Sequence, residues 1–455
     1  MIEDTIAAIA TPPGAGGIAI VRVSGPAAIA IADRCFRHAH GKAPSNAAPG
    51  HFLVGHFVDG EEVVDQVLLL LMRAPHSYTC EDVVEFQGHG GAQCAQQMLR
   101  RVLQAGARLA EPGEFTQRAF LNGRLDLAQA EAVLDLIHAR SERAAAAALD
   151  QLEGGLSNLI NAIYDDLVAV DGDVEATLDF PEDQLPPTVL PNLTQRLTAV
   201  QGRMQMLLNS WDEGHMLRDG ALIVISGKPN VGKSTLLNGL LGRDRAIVSN
   251  MPGTTRDTIE EDGVISGIPV RLVDTAGLRE TDCEIERSGI ERTHLQMKRA
   301  DLHLYVIDAS QPIDQQVINN ISTLPAGRSL LIWNKMDKAL ADLNIDNTHP
   351  VERIIATQVP GIDVVKNSIR GFLSRRIDLQ ARPHATISAR HRQLLLSAAD
   401  EVRDAVDMLS TSNEKGCVLV ADHLRGALEL LGQVVGRHYH EELLDQIFAR
   451  FCIGK

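Results

Sequence analysis

The fold of the central part of this chain is decided by the stretch ALIVISGKPNVGKS at residues 221–234. Its mainly apolar first six residues predict a strand, and the residues after Ser234 are typical of a helix. Between them lies the pattern G-x-x-x-x-G-K-S, whose glycines let successive backbone N–H groups point at phosphate oxygens. The N-terminus of the helix adds positive potential. Strand, loop and helix in this order predict a P-loop, with Lys233 at the β- and γ-phosphates and Ser234 on Mg²⁺.

Two polar loops that follow the P-loop fit the remaining phosphate contacts. Gly253-Thr254-Thr255 supplies Thr255 as a candidate second ligand of Mg²⁺. Asp274-Thr275-Ala276-Gly277 follows an apolar strand, so we expect Asp274 to hold the magnesium shell and the Gly277 N–H to sense the γ-phosphate. Either loop alone could be a surface turn, but their order after a P-loop predicts hydrolysis of a nucleoside triphosphate.

A third loop, Asn334-Lys335-Met336-Asp337, indicates that the base is guanine. The Asp337 carboxylate can accept from both N1–H and the exocyclic amine of guanine, and adenine would leave it unpaired at a high cost. A last base contact is expected at Ile355-Ala356-Thr357 through the backbone, because isoleucine stands where serine is usual. The predicted GTP-binding residues are Asn230, Val231, Gly232, Lys233, Ser234, Thr235, Ser249, Asn250, Met251, Pro252, Gly253, Thr254, Thr255, Asp274, Thr275, Ala276, Gly277, Asn334, Lys335, Met336, Asp337, Ile355, Ala356 and Thr357.

Composition sets limits on the function. The 455 residues carry a formal net charge of −16, so the chain as a whole lacks the basic footprint of a nucleic-acid-gripping protein, and no DNA partner is expected. The six cysteines form no CxxC pair, which argues against a zinc ribbon or a thioredoxin motif. The acidic N-terminus does not resemble a secretory leader, and the longest apolar run is too short for a bilayer. We therefore expect a cytoplasmic protein with no membrane partner.

The hydrophobic pattern divides the chain into four stretches. Residues 1–118 predict a mixed α/β domain and residues 119–215 predict helices. Residues 216–376 alternate strand and helix signals, which is typical of a parallel sheet with crossover helices. Helical periodicity returns in residues 377–455. The predicted fold class is a multidomain α+β and α/β protein, in which a Ras-like P-loop GTPase domain is inserted into a split all-α helical domain.

These motifs together resemble the MnmE (TrmE) family of tRNA uridine modification GTPases, and the resemblance covers nearly the whole chain. Beyond the nucleotide loops it rests on short motifs at both ends of the sequence. These are Asp4-Thr5-Ile6-Ala7-Ala8 with Gly16-Gly17-Ile18, Ser77-Tyr78-Thr79-Cys80-Glu81-Asp82, Gly88-His89-Gly90-Gly91, Pro112-Gly113-Glu114-Phe115-Thr116, Arg118-Ala119-Phe120-Leu121-Asn122, Leu125-Asp126-Leu127 and Phe451-Cys452-Ile453-Gly454-Lys455.

The resemblance implies a function for each stretch. Residues 1–118 would bind tetrahydrofolate and dimerise, 216–376 would be the GTPase domain, and 119–215 with 377–455 would be the helical domain. The family installs a carboxymethylaminomethyl-type group at carbon 5 of the wobble uridine of tRNA. A tetrahydrofolate derivative, 5-formyl or 5,10-methylene, supplies the one-carbon unit. The resemblance further implies a homodimer that forms a heterotetramer with an MnmG-like flavoprotein, which carries the FAD.

The resemblance also implies how hydrolysis is activated. A K⁺ ion would be bound by Asn230, Ser249, Met251 and Thr254, and would offset transition-state charge as an arginine finger does elsewhere. From the residues alone, Asn230 could instead shape the loop as an Asx turn. Leu278 cannot orient water by hydrogen bonding, and the resemblance assigns this catalytic role to Glu286. Glu284 is its rival, and a solvated surface carboxylate is the plain alternative. Activation is expected when two GTPase domains meet within the homodimer.

The implied folate site consists of Arg22, Glu85, Arg124 and Lys455. Glu85 can accept from the pterin, and the cations can meet carboxylates or ring acceptors, although each arginine alone could be a surface ion pair. Cys452 is implied as a catalytic nucleophile, with a small buried side chain as the alternative. Two other functions stay open: a ribosome-assembly GTPase switch, which would need a basic RNA-binding module, and a stand-alone folate-dependent aminomethyl transferase regulated by GTP.

Overall fold

The computed structural model describes residues 4–38, 40–48, 50, 52–179, 189–242, 260–274, 299–339, 349–376, 385–411 and 415–455. The chain forms two compact units, one of residues 1–134 with 429–455 and one of residues 135–428. The division points lie inside two helices, α4 and α13. The helices are α1 (Ala28–Cys35), α2 (Ala92–Gln104), α3 (Glu114–Leu121), α4 (Leu127–His138), α5 (Glu142–Leu152), α6 (Gly155–Asp179), α7 (Val189–Asn209), α8 (Trp211–Asp219), α9 (Lys233–Leu241), α10 (Gln315–Ser322), α11 (Val359–Leu373), α12 (Ala389–Thr411), α13 (Lys415–Val435) and α14 (Glu441–Phe448).

The described strands form one sheet in each unit. The first sheet has seven strands in the order β3-β4-β5-β6-β2-β1-β7, and the second has six in the order β13-β12-β11-β8-β10-β9. The strands are β1 (Ile6–Ile9), β2 (Ile18–Ser24), β3 (Phe36–His38), β4 (Phe52–Asp59), β5 (Glu62–Met72), β6 (Val83–His89), β7 (Arg108–Leu109), β8 (Ala221–Gly227), β9 (Glu260–Ile265), β10 (Ile268–Asp274), β11 (Leu302–Asp308), β12 (Ser329–Asn334) and β13 (Val351–Arg353).

In the first unit, α1 and α2 cover one face of a sheet that is antiparallel except where β1 meets β7. Alternate residues of β4, β5 and β6 point into this core, as period-2 patterning requires. Phe57 and Phe86 meet there edge to face, with ring centroids 4.9 Å apart. The opposite face carries the polar pair Arg22 and Glu85, which stand side by side on β2 and β6.

A buried ion cluster anchors α3 to this unit. The fully buried guanidinium of Arg118 donates to Asp4 Oδ1 at 2.8 Å and to Glu114 Oε1 at 2.9 Å, and it also meets Glu81 at 3.2 Å. Removing Arg118 would cost about 3–5 kcal/mol, because the largely buried carboxylates of Glu81 and Glu114 would lose this counterion. The cluster therefore fixes the start of α3, against which the C-terminal residues pack.

The sheet of the second unit is parallel except where β9 meets β10. Helices lie on both faces: α9 and α11 pack on one side and α10 on the other. Strands β8, β11 and β12 are buried on both faces, which explains their near-continuous apolar sequences. The loops at their carboxyl ends meet at one edge, the usual ligand position of an open α/β sheet.

The helices of the second unit come from both sides of the sheet in the sequence. Helix α7, which precedes β8, packs against both α6 and α12, although α12 follows the last strand. This packing agrees with an α/β unit inserted between helical segments, and the predicted fold class is confirmed. The three predicted boundaries between the four stretches stay predictions. Among the described residues, no helix combines the length and apolar character needed to cross a membrane.

Candidate active site at the P-loop and a polar cluster at the C-terminus

The P-loop has the backbone that its glycines allow. Gly227 and Gly232 have φ of 144° and 100°, and a Cβ on either would overlap the Val306 carbonyl or the Asn334 amide. Only glycine therefore fits at these two positions. Helix α9 begins at Lys233, directly after Gly232, so its first N–H groups lie at the loop. The predicted strand, phosphate loop and helix are present in this order.

Lys233 is folded over the loop that it is predicted to serve. The residue is 5% exposed, and its Nζ donates to the carbonyls of Gly227 at 3.1 Å and Lys228 at 2.7 Å. These bonds hold the ammonium within the curl of the backbone. The positive charge therefore lies where a β,γ-phosphate would be held.

Ser234 and Asp274 meet at the carboxyl ends of the adjacent strands β8 and β10. The Ser234 hydroxyl donates to Asp274 Oδ2 at 2.9 Å, and Asp274 is 5% exposed. A hydroxyl and a carboxylate oxygen are hard ligands of the kind that Mg²⁺ prefers, so the pair fits a magnesium ion or its water shell. Thr255, the other predicted ligand, lies outside the described residues.

Asn334 ties three nucleotide loops together. Its Nδ2 donates to the Val231 carbonyl of the P-loop at 2.8 Å, and its Oδ1 accepts from the Ala356 N–H at 2.9 Å. The side chain is buried, so both bonds are made away from water. In the last predicted base contact, residues 355–357, the Ala356 N–H thus donates to Asn334. Ile355 is half-buried and Thr357 is exposed.

Lys335 connects the P-loop to the end of β11. Its Nζ donates to the Asn230 carbonyl at 2.8 Å and to Asp308 Oδ2 at 2.6 Å. Burial raises the pKa of Asp308, but hydrogen bonds from Lys335 and Ser310 outweigh it and leave that pKa below 3.8. Asp308 was not among the predicted residues. Its position at the carboxyl end of a buried strand was the signal that could have found it.

The remaining residues of the predicted GTP site are Asp337 at the base and several residues on the phosphate side. Asp337 is exposed on the 3-10 turn Met336–Lys338, with its carboxylate open to solvent. Thr235 lies in the first turn of α9. Outside the described residues lie Ser249, Asn250, Met251, Pro252, Gly253, Thr254, Thr275, Ala276, Gly277, Glu284 and Glu286.

The predicted folate residues lie together in the first unit. Arg22 Nε donates to Glu85 Oε1 at 2.8 Å, and its Nη1 donates to the Gly454 carbonyl at 3.4 Å, one residue before the terminal Lys455. Gln87 Nε2 donates to the other oxygen of Glu85 at 3.3 Å. The pairing of Arg22 with Glu85 thus joins two predicted ligands to the C-terminus.

Tyr78 joins Arg124 to the same cluster. The guanidinium carbons of Arg124 and Arg22 lie 5.2 and 5.7 Å from the centre of the Tyr78 ring, within cation–π range. The Tyr78 hydroxyl shares a hydrogen bond of 2.9 Å with Thr116, and Arg124 also donates to the Ser77 carbonyl. Burial raises the pKa of Tyr78 above 10.0. Tyr78 belongs to one of the motifs that carry the family resemblance, but no role was predicted for it.

The C-terminal pentapeptide is docked rather than free. Phe451 is buried among Phe120, Leu127 and Phe448. Ile453 forms an isolated antiparallel bridge with Pro112, which holds the half-buried Cys452 beside the start of α3. Gly454 has φ of 100° and lies against the Ile9 carbonyl, where a side chain would not fit. The nucleophilic role of Cys452 stays a prediction.

Comparisons with known proteins identify the family of the chain. A profile described as MnmE helical domain matches residues 127–452, and one described as GTP-binding protein TrmE N-terminus matches residues 5–124. The chain is 43% identical to the tRNA modification GTPase MnmE of Moorella thermoacetica, over 100% of both chains. It is also 43% identical to that of Chlorobaculum tepidum, over 99% of this chain and 97% of the relative.

Solved structures give a more limited match. The G domain of the T. maritima FeoB iron transporter is 25% identical to this chain, over 33% of this chain and 98% of that one, with a TM-score of 0.25. Because this TM-score is too low to support an argument, the family membership rests on the two profiles and the full-length relatives. The chain belongs to the tRNA modification GTPase MnmE family, whose members are GTP-hydrolysing enzymes.

Proposed function

We propose that this chain is the potassium-activated GTPase subunit of a cytoplasmic complex that modifies tRNA. With an MnmG-like flavoprotein it installs a carboxymethylaminomethyl-type group at carbon 5 of the wobble uridine, and a tetrahydrofolate derivative bound by residues 1–118 supplies the one-carbon unit. The observation that carries the proposal is the assembled P-loop, with Ser234 against Asp274 and Asn334 linking the guanine loops to it. The named relatives supply the tRNA context.

The P-loop side chains divide the work on the triphosphate. Lys233 meets the β- and γ-phosphate oxygens from the loop, and the N–H groups at the start of α9 bind the same anion. Ser234 would ligate Mg²⁺ and Asp274 would hold its water shell; the ion would neutralise charge on the phosphates. Because the loop backbone is preset by Gly227 and Gly232, it needs little reorganisation when the nucleotide binds.

Activation by K⁺ is proposed to use the side chain of Asn230. The residue is exposed, and its backbone carbonyl accepts from Lys335 Nζ, so its side-chain amide oxygen is the proposed ligand. The other ligands, Ser249, Met251 and Thr254, and the water-orienting Glu286 lie outside the described residues. Two GTPase domains of a homodimer would shield this cation from water and strengthen its effect.

The polar cluster at the C-terminus supports folate binding. A tetrahydrofolate carries carboxylates that suit guanidinium groups and a pterin whose N–H groups suit a carboxylate. Arg22, Arg124 and Glu85 supply these groups around the ring of Tyr78, and the chain terminus with Lys455 lies beside Arg22. The residues present therefore fit the ligand, and Cys452 is proposed to act near it.

An exposed apolar face supports dimerisation of residues 1–118. Phe52, Val54 and Leu68 are 66%, 45% and 43% exposed, and Val54 lies directly opposite Leu68 on neighbouring strands. A contiguous apolar patch of this kind typically marks an interface. A second copy of the chain is the proposed occupant of this face.

Analysis of tRNA nucleosides distinguishes the proposal from a ribosome-assembly switch. In a strain that lacks the gene, the carboxymethylaminomethyl-type uridine should disappear and reappear on complementation. Unchanged wobble uridine in the deletion strain would contradict the proposal. Modification in vitro is then compared with and without the flavoprotein, because activity without the flavoprotein would favour a stand-alone transferase.

Steady-state hydrolysis in K⁺ and in Na⁺ tests the activation step. We expect turnover to fall sharply in Na⁺, and Glu286→Ala to lower turnover while GTP binding is preserved. Equal rates in both salts would remove Asn230 from its proposed role. Normal turnover of Glu286→Ala would transfer the catalytic role to Glu284.

A further inference from the structure

Two residues with left-handed backbone face each other across the nucleotide site. Asn230 in the P-loop and Lys335 in the guanine loop both have φ of 61°, and neither is glycine. Such conformations are uncommon and cost of order 1–3 kcal/mol each, so they persist where surrounding contacts hold them. The contact that joins the two is the hydrogen bond of 2.8 Å from Lys335 Nζ to the Asn230 carbonyl.

Asp308 is the group that holds Lys335 in this position. Its Oδ2 accepts from Lys335 Nζ at 2.6 Å, while its Oδ1 accepts from the Ser310 N–H at 3.0 Å and the Ser310 hydroxyl at 2.6 Å. The carboxylate is therefore fixed from its far side. Asp308 also ends β11, which pairs with β8 and β12, so its backbone is anchored in the middle of the sheet.

The geometry gives Asp308 a defined effect on Asn230. A lysine has a flexible stem with about 2 kcal/mol of rotamer entropy, and a fixed carboxylate at 2.6 Å restricts that freedom. A charge-assisted hydrogen bond is also roughly twice as strong as a neutral one. Without the carboxylate, Lys335 would no longer be directed at the Asn230 carbonyl, and the P-loop would lose an anchor at its left-handed residue.

We propose that Asp308 is a positioning residue of the GTPase site: through Lys335 it fixes the backbone of Asn230 and so couples the guanine loop to the P-loop. Asp308 itself contacts neither base nor phosphate in this role. The effect on nucleotide affinity follows from the family's GTPase site. A second effect, on the K⁺ requirement, rests on the proposed function, because Asn230 is the described residue proposed to bind that ion.

Equilibrium binding of a fluorescent GDP analogue to the full-length chain tests the affinity claim. Asp308→Ala should weaken binding roughly tenfold, the scale of a lost charged hydrogen bond. Asp308→Asn retains a neutral acceptor oxygen for Lys335 and should recover about half of this loss in binding free energy. Unchanged affinity of Asp308→Ala, or no recovery in Asp308→Asn, would overturn the proposal. If the alanine variant does not fold, Asp308→Ser, whose hydroxyl is too short to reach Lys335, takes its place.

A double-mutant cycle with Lys335→Met tests whether Asp308 acts through that lysine. The losses of nucleotide binding free energy in the two single variants should be far from additive in the double variant, because the second substitution removes an interaction that the first has already broken. Additive losses would contradict a role through Lys335. Asp314→Asn is the matched control, because Asp314 forms an ion pair with the side chain of Lys228 and not with the loop backbone. It should retain wild-type affinity, and an equal loss there would show a general charge effect.

The K⁺ concentration for half-maximal hydrolysis provides the second readout. Asp308→Ala should need more K⁺ than the wild type, whereas Asp314→Asn should not. If the wild type shows no activation by K⁺, the proposed potassium site fails, and the affinity cycle alone decides the role of Asp308. If the wild type is activated and Asp308→Ala responds identically, the coupling to Asn230 is wrong.

Discussion

Asp337 is the single carboxylate proposed to read the base. It lies exposed on a short turn whose preceding residues, Asn334 and Lys335, are bonded to the P-loop, so the turn is held rigidly although its tip is open. If two N–H groups of guanine meet this carboxylate, as proposed, the choice of base depends on the acceptor oxygens of one side chain.

Asp337→Asn should shift the preferred nucleotide from GTP toward XTP. An amide presents one donor and one acceptor, which suits xanthine, where a carbonyl replaces the exocyclic amine. We expect GTP affinity to fall by roughly two orders of magnitude, as when a polar group is left unpaired. Competition binding with GTP, XTP and ATP measures the shift. Unaltered preference for GTP would contradict the base-reading role.

Tyr78 acts at the same scale in the first unit. Tyr78→Leu should weaken binding of 5-formyltetrahydrofolate about fivefold to tenfold, since cation–π contacts of roughly 0.5–0.7 kcal/mol to each of the two arginines are lost. Tyr78→Phe keeps the ring and should bind nearly as well as the wild type. Isothermal calorimetry on the full chain provides the measurement. Equal affinity of the wild type and Tyr78→Leu would show that the ring does not position the arginines, while absence of binding by the wild type would reject the folate site itself.

Single residues also show the limit of sequence reasoning about the site. Lys233, Ser234 and Asn334 were predicted because a short motif fixes their types and their local backbone. Asp308 and Tyr78 were missed because their partners are remote in sequence and are brought near by strand pairing and by the docked C-terminus. Spacing along a chain carries no information about such contacts.

Helix α8 precedes β8 in the sequence and packs against β10. Its His215 Nδ1 lies 2.8 Å from Asp219 Oδ2, and the ring stacks on Trp211 at 5.2 Å. The hydrogen bond and charge of Asp219 raise the pKa of His215 above 6.5, despite burial, which lowers it. The pKa of Asp219 is correspondingly lowered by His215.

The sign of this pair's effect on stability follows from those shifts. Its contribution is fully present below pH 6.5, where His215 is charged in both folded and unfolded chains, and is lost as pH rises through the raised pKa of the folded state. It is also lost in acid, as Asp219 is protonated. The melting temperature of the wild type should therefore fall as the pH rises above neutral and the contribution of the pair is lost. This dependence of the melting temperature on pH should be weaker in His215→Gln.

Fluorescence of Trp211 reports the same titration directly. The chain has two tryptophans, so Trp333→Phe isolates Trp211, whose emission a stacked imidazolium should quench. We expect a midpoint above pH 6.5 that moves down toward 6.5 in Asp219→Asn. An identical midpoint in both proteins would show that Asp219 does not control His215.

Individual elements were largely accessible from the sequence pattern. The apolar run at 221–226 is β8, the helical spacing from Leu127 is α4, and the five alanines from Ala144 lie in α5. The order of the strands was not predictable in this way. Strand β7 has two residues and pairs in parallel with β1, and its Arg108 forms ion pairs with Asp4 and Glu114. A two-residue strand has no hydrophobic period that could predict this pairing.

Association of two copies belongs to the whole molecule. Phe52→Glu places a charge on the exposed apolar face of β4 and β5, and should raise the dimer dissociation constant by at least about tenfold, because a charge there would lie desolvated in the interface. Light scattering after size-exclusion chromatography measures the mass. Met206→Glu changes an equally exposed apolar side chain on α7 and should leave the dimer intact. A Phe52→Glu protein that remains dimeric would place the interface elsewhere.

GTP hydrolysis at the P-loop is proposed to serve modification of the wobble uridine. The most direct measurement is mass spectrometry of tRNA nucleosides from a strain that lacks the gene, complemented either with the wild-type chain or with Asp274→Ala. The wild type should restore the carboxymethylaminomethyl-type uridine, and Asp274→Ala, expressed at the same level, should not. Full restoration by Asp274→Ala would contradict a role of hydrolysis in the modification.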